Sequence, residues 1–303
     1  MSSKVDGKTR IDFLIPYVGI GINYLEFYIK NILTTSSNNV SIDFLVSYHN
    51  KEDFEILKKS KIFKYIKKTV FAKRDERGIF FSPSVSHTNA LNELYKNISG
   101  EIVIFSDYDM AFVQKKWDQY IFSELYKNKI DLMGVNYHSE PLNIQEYIGS
   151  KQPIFCFKYQ MLPNLSFLVA KSSTLKKFFP KKITSYDELS FKQDFTPFFQ
   201  IASDSISKIY NLRMNYGLWL DTGYEIPEVI YKNNLKTKLI THNQDLANNF
   251  FTKKESSIFR KQEIFLLDNK PFLAHYRKGT QKKDDGAFNL FKDDINSYIF
   301  KNN

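Results

Sequence analysis

The stretch Glu101-Ile-Val-Ile-Phe-Ser-Asp-Tyr-Asp109 decides the reading of this chain. Four apolar residues in a row, Ile102 to Phe105, form a run too short for a helix and rich in β-formers, so they predict a strand buried on both faces. Gly100 sits just before it, as glycine commonly does beyond a helix end. Two carboxylates, Asp107 and Asp109, follow at a spacing of i, i+2. Charge placed at the end of a buried strand is costly unless something compensates it. A divalent cation relieves the mutual repulsion of such a pair, and hard oxygen ligands suit Mg²⁺ or Mn²⁺ bridged to substrate phosphates.

Outward from that strand the chain alternates. Towards the N-terminus, Ile11–Tyr17 reads as a buried strand stopped by Pro16. Ile22, Leu25, Ile29, Ile32 and Leu33 recur at helical spacing. Ser41–Ser47 reads as a second strand, Lys51–Lys59 as a helix, Thr69–Ala72 as a weaker strand and Ser84–Ile98 as a helix. Towards the C-terminus, Lys115–Tyr126 reads as helical and Asp131–Val135 as a short strand. Strands alternating with helices predict an α/β fold, a mostly parallel sheet with helices on both faces. Ligands of such sheets lie beyond the carboxyl ends of the strands. One rim should therefore carry Pro16-Tyr17, Tyr48-His49-Asn50 and Asp107-Tyr108-Asp109.

The second half is less regular. Asn164–Ala170 reads as a strand, Asp204–Asn211 as a short helix and Tyr216–Leu220 as an apolar run. Leu266–Leu267 and Pro271–His275 are expected to form a hairpin across Asp268-Asn269-Lys270. Phe291, Ile295, Tyr298 and Ile299 give the tail an amphipathic helical pattern. With no repeat and no low-complexity linker, residues 1–303 read as one compact unit. The regular half covers about residues 10–135 and the less regular half about 136–303.

Charge and composition narrow the class of partner. The 43 basic and 33 acidic residues leave a formal charge of +10, which favours anionic ligands. The lysine pairs are scattered and no reading motif is present, so no nucleic-acid partner is expected. One cysteine, Cys156, excludes an internal disulfide and accords with a cytoplasmic setting. Residues 1–10 lack the apolar core of a signal peptide. No segment has the roughly 18 uninterrupted apolar residues of a spanning helix, which leaves contact with a membrane surface open.

The run from Asn89 through Leu94, Ser99, Gly100 and Glu101 to Asp109 resembles the family 2 glycosyltransferases. In these, an Asn-bearing helix ends in a small residue and Gly-Glu before an apolar strand delivers Asp-x-Asp. Phe13-Leu-Ile-Pro-Tyr17 is similar to the opening strand of that family, whose end contacts the base. The resemblance covers about residues 10–135. It implies a GT-A fold, with Asp107 towards the ribose or uracil, Tyr108 between, and Asp109 on the metal.

Pro16, Tyr17, Asn50, Arg74 and Asn89 complete the expected nucleotide-sugar set. Tyr17-Val18-Gly19 departs from the family pattern, so the base stays open: UDP first, GDP or dTDP as alternatives. A late histidine commonly folds back over the diphosphate in GT-A enzymes, and His275 in Leu273-Ala-His-Tyr-Arg277 fits that place, beside Asp107 and Asp109 as metal ligands.

Transfer to a hydroxyl needs a base. Asp221 and Glu225, near the start of a helix signalled by Pro227, are the candidates, although Asp221 also suits a helix N-cap. The expected reaction is metal-dependent, inverting direct displacement onto a saccharide or lipid-linked glycan. The alternative is a non-catalytic nucleotide-sugar or glycan-binding protein on the same scaffold. A haloacid-dehalogenase-type hydrolase is disfavoured because its Asp-x-Asp follows the first strand, whereas here it follows the fourth.

Overall fold

The computed structural model describes residues 8–74, 83–136, 162–179, 181, 183, 226–251, 262–276 and 285–302. Its first half follows the expected alternation. Strand β1 (Thr9–Ile15) leads through a short turn into α1 (Ile22–Thr35). Next come β2 (Val40–Tyr48), α2 (Lys51–Lys59), β3 (Ile66–Phe71), α3 (Pro83–Tyr95) and β4 (Ile102–Ser106). A three-residue strand β5 (Met110–Phe112) follows at once, then α4 (Trp117–Phe122), which runs into a π-turn, and β6 (Leu132–Asn136). The second half supplies β7 (Pro163–Lys171), α5 (Ser172–Phe178), α6 (Ile226–Lys232), β8 (Thr237–His242) and α7 (Gln244–Phe250). It closes with β9 (Gln262–Leu267), β10 (Lys270–Tyr276) and α8 (Asp285–Asn302).

Among the described residues, ten strands join one mixed sheet in the order β3-β2-β1-β4-β7-β6-β8-β9-β10-β5. The four N-terminal strands β3, β2, β1 and β4 are mutually parallel, as the alternation requires. From β7 onward the sheet departs from the parallel expectation: β7 runs antiparallel to both β4 and β6, and β8, β9, β10 and β5 pair antiparallel in turn. Only β6 and β8 restore a parallel contact. For β9 and β10 the physical reason is the connection: a two-residue turn joins them, and only antiparallel neighbours can be joined so tightly.

The central strands are buried on both faces. On β1, Ile11, Phe13 and Ile15 pack with Tyr24, Leu25, Tyr28 and Ile29 of α1, while Leu14 faces Leu91 and Leu94 of α3. On β4, Ile102 and Ile104 belong to the first cluster, Val103 and Phe105 to the second. The uninterrupted apolar run that opens the sequence reading is thus a strand between two layers. Burying each such side chain contributes roughly 1.5–3 kcal/mol.

A buried carboxylate sits among them. Asp12 Oδ2 accepts the backbone N–H groups of Ser99 and Gly100, each at 2.5 Å, and pins the α3–β4 corner onto β1. A Cβ on residue 100 would stand 2.9 Å from the Asp12 carboxyl carbon and 3.0 Å from the Arg10 carbonyl. Glycine is required there for close approach, in addition to ending the helix.

Candidate functional site

The site forms where the chain leaves one part of the sheet for another. After Ser106, β4 ends in the middle of the sheet, and Asp107-Tyr108-Asp109 carries the chain across to β5 at its far edge. The crossing is fastened at both ends. Asp107 N–H donates to the Ser166 carbonyl at 2.9 Å, and Tyr276 N–H donates to the Asp109 carbonyl at 2.8 Å. Tyr28 OH donates to Ser106 Oγ at 2.5 Å, and Ser106 Oγ donates to the Asp107 carbonyl at 3.0 Å.

Pairing of β5 with β10 sets Met110 opposite His275, so the histidine arrives beside the preceding aspartate. His275 Nε2 lies 3.3 Å from Asp109 Oδ1. Its other nitrogen, Nδ1–H, donates to Glu263 Oε2 on β9 at 2.9 Å. Asp109 and Glu263 are both nearly buried. Burial raises the Asp109 carboxyl, and the neighbouring imidazole partly restores it. On His275, burial pulls downwards, but Asp109 and Glu263 outweigh it and push the imidazole up to about 10.

The first aspartate has its own histidine. His87 Nε2 on α3 lies 3.2 Å from Asp107 Oδ1, and the Asp107 side chain keeps about a third of its surface exposed, at 34%. The two carboxylates of the motif therefore each face an imidazole, one open to solvent and one enclosed.

Among the described residues, no three His, Cys, Asp or Glu side chains converge on a point where a metal ion would sit. The donor set is Asp109 Oδ1 with His275 Nε2, and Glu263 stands behind the histidine. Two protein ligands fit a hard cation that takes its remaining oxygens from phosphate and water, as Mg²⁺ usually does. A carboxylate on the far nitrogen of a ligating histidine is the usual arrangement behind such a ligand.

The remaining expected residues take varied positions. Tyr108 is buried: its ring meets Tyr17 at 5.8 Å and its hydroxyl donates to the Val18 carbonyl at 3.4 Å. A Cβ at Gly21 would fall 2.4 Å from that hydroxyl, so glycine there lets α1 start against the tyrosine. A contact from Tyr108 to a ligand would thus come from its backbone. Pro16 and Tyr17 are buried at the end of β1, with Tyr17 N–H donating to Ser47 Oγ at 3.3 Å.

Asn50 caps α2, its side chain accepting Asp53 N–H at 2.7 Å. Asn89 Nδ2 donates to the Lys73 carbonyl at 3.1 Å and braces the end of β3 against α3, and Arg74 beside it is exposed. His49, also on this rim, is buried and donates from Nδ1 to the Ala72 carbonyl at 2.9 Å. Asp221 and Glu225 lie outside the described residues, as do the expected elements at 204–211 and 216–220.

His87 on its helix reads from the sequence both as lining the site and as a structural or exposed residue, and the structure sets it beside Asp107. Glu263 was not singled out by sequence; its one signal is a carboxylate directly before the apolar Ile264-Phe265-Leu266-Leu267 run.

No protein-family model matches the chain, and no curated protein sequence matches it. Among solved structures, the chain is similar to a mannosyltransferase from Pyrobaculum calidifontis in complex with GDP-Man and Mn²⁺. That match has 12% identity and a TM-score of 0.37, covering 56% of this chain and 46% of that one. It is also similar to S. aureus TarS in complex with UDP-GlcNAc, at 11% identity and a TM-score of 0.38, covering 56% and 47%. Mouse xyloside xylosyltransferase 1 matches at 7% identity and a TM-score of 0.41, covering 77% and 85%. The chain thus spans somewhat under half of the first two proteins. At such values these likenesses decide nothing about its activity. The architecture itself, an α/β mixed sheet with parallel N-terminal strands, is the one that the GT-A resemblance implies.

Proposed function

We propose that this chain is a GT-A glycosyltransferase that moves a sugar from a nucleotide-diphosphate donor to a hydroxyl of a saccharide or lipid-linked glycan. The observation that carries the reading is the meeting of Asp109 and His275 at 3.3 Å, from opposite halves of the chain, at the end of a buried strand. Two enclosed ionisable groups aimed at each other, with a second carboxylate behind the histidine, are an arrangement that clusters at functional sites and supports this reading.

In this reading Asp109 Oδ1 and His275 Nε2 hold Mn²⁺ or Mg²⁺, with Asp107 nearby. Held by these two side chains, such a cation would supply positive charge to offset that developing on the departing diphosphate. Glu263 orients the imidazole by accepting its Nδ1–H, which directs Nε2 towards Asp109. Asp107, half open and next to His87, faces the nucleoside. Pro16 and Tyr17 at the end of β1, with Asn50, Arg74 and Asn89 along the rim, shape the place for the base and ribose, UDP being the first candidate. Asp221 or Glu225 takes the proton from the acceptor hydroxyl as it attacks the anomeric carbon in a direct, inverting displacement.

Calorimetric titration of UDP, with GDP and dTDP as comparators, tests this in the presence of Mn²⁺ and then of EDTA. Manganese-dependent binding of one nucleotide that is lost in Asp109→Ala supports the site. Equal binding with EDTA, or an undisturbed Asp109→Ala variant, overturns the metal assignment. Tight binding without sugar transfer to any acceptor would favour a non-catalytic nucleotide-sugar-binding protein.

A further inference from the structure

Outside the site, the outer edge of the sheet carries a feature that nucleotide binding leaves unexplained. The segment Lys58-Lys-Ser-Lys-Ile-Phe-Lys-Tyr-Ile-Lys-Lys-Thr-Val-Phe71 holds six lysines and no acidic residue. It comprises the last turn of α2, a short 3-10 turn at Phe63–Tyr65, and β3, which among the described residues pairs only with β2 and so forms one edge of the described sheet. All six lysines are exposed. Two aromatic rings stand out among them, Tyr65 at 42% and Phe71 at 56% exposure.

The segment is firmly built from beneath. Ile62 is fully buried, Phe63 lies 6.5 Å from Phe54, and Phe54 lies 4.8 Å from Tyr48. Lys67 pairs with Asp43 at 2.9 Å, and Lys68 reaches Asn97 at 2.5 Å. The ammonium groups of Lys58, Lys59 and Lys61 have no partner among the described residues.

We propose that this edge docks on an anionic lipid bilayer. Lysines on an edge strand commonly guard against edge-to-edge pairing, and that explains Lys67 and Lys68. It does not explain Lys58, Lys59, Lys61 and Lys64, which precede the strand, nor two exposed aromatics beside them. Basic clusters attract anionic headgroups, and aromatic rings with lysine stems settle at the interface between headgroup and acyl chain.

A single-stranded nucleic acid is the competing polyanion, but its bases stack on rings placed in close succession. Tyr65 and Phe71 are six residues apart, roughly 20 Å at strand rise, a spacing that suits two anchors on a plane. Phe71 ends β3 at the same rim as Asp107, because β3, β2, β1 and β4 are parallel. One end of the bilayer-facing edge therefore reaches the rim on which the candidate site opens, and Lys58–Tyr65 lie at its other end. Among the described residues no helix is long and apolar enough to cross a membrane, so the contact is superficial.

Vesicle flotation with the full chain tests the proposal. Vesicles of phosphatidylcholine alone are compared with vesicles that also contain phosphatidylglycerol, at low and at high salt. The chain is expected to float only with the anionic vesicles and to be released by salt. Combined Lys58→Glu, Lys59→Glu, Lys61→Glu and Lys64→Glu should weaken binding by about tenfold or more. A separate Tyr65→Ser, Phe71→Ser variant should lose several-fold while keeping the salt dependence, and it supplies the test if the charge variant fails to fold. Circular dichroism of each variant checks the fold. Equal flotation with neutral vesicles, undiminished binding by the folded variants, or no flotation at any salt overturns the proposal. The last outcome together with capture of a single-stranded oligonucleotide would assign the edge to nucleic acid.

Discussion

At the scale of single residues, the molecule places its ionisable groups in three different situations, and each gives a separate expectation. Asp12 serves two backbone donors in the core. Asp12→Ala leaves Ser99 and Gly100 N–H unsatisfied, and should cost about 2–3 kcal/mol in urea denaturation. His49 is buried as the neutral imidazole. Burial lowers it below its ordinary value of 6.5, helped by Arg74 and His87 and opposed by its bond to Ala72 and by Asp53.

Because the unfolded chain then binds more protons than the folded one, stability tied to His49 is complete above 6.5 and is lost as pH falls through that value towards the folded pKa. A His49→Gln variant should accordingly lose less stability than the parent between about pH 7.5 and about pH 5.5. Glu263 belongs to the third situation, a carboxylate holding an imidazole. Glu263→Gln should weaken manganese-dependent UDP binding by roughly 10–100-fold with little change in the fold.

At the scale of elements, the hairpin β9–β10 shows both what the sequence discloses and what it hides. Its turn is legible: Asp268 and Asn269 hold positive φ of 50° and 62°, the left-handed pair that a two-residue turn needs and that these residue types tolerate. Asn269→Val should therefore cost about 1–2 kcal/mol, read as a lowered melting temperature. The register is not legible. A bulge between Pro271 and Leu273 shifts the ladder by one residue and brings His275 opposite Glu263. Unshifted pairing from Lys270↔Leu267 would set it opposite Gln262.

For this reason the histidine could be picked out from the sequence and its carboxylate partner could not. The strands β1, β2 and β4 were plain because each carries an uninterrupted apolar run, Phe13–Ile15, Phe44–Val46 and Ile102–Phe105. Strand β8 was not, since Thr237-Lys-Leu-Ile-Thr-His242 buries only Ile240 fully. The three residues of β5 are a strand only because β10 lies beside them.

At the scale of the whole molecule, the last helix closes what the motif begins. Phe288 and Phe291 of α8 meet Tyr276 at 5.5 and 5.3 Å, and Tyr24 of α1 lies 4.1 Å from Phe288. The helix thereby clamps β10, with His275 on it, against α1. Truncation after residue 284 should abolish manganese-dependent nucleotide binding even where the parallel strands still fold, as circular dichroism and calorimetry would report together.

The bond between Asp109 and His275 has one more consequence, in time. The two lie 275 − 109 = 166 positions apart. At about 5–20 residues per second, a ribosome makes the second roughly 8–33 s after the first. Through that interval β1 to β4 can assemble on the nascent chain, but β5 has no strand to pair with and Asp109 no His275 beside it. On the proposed reading, the growing polypeptide would gain its nucleotide site only when its last strands emerge, late and all at once.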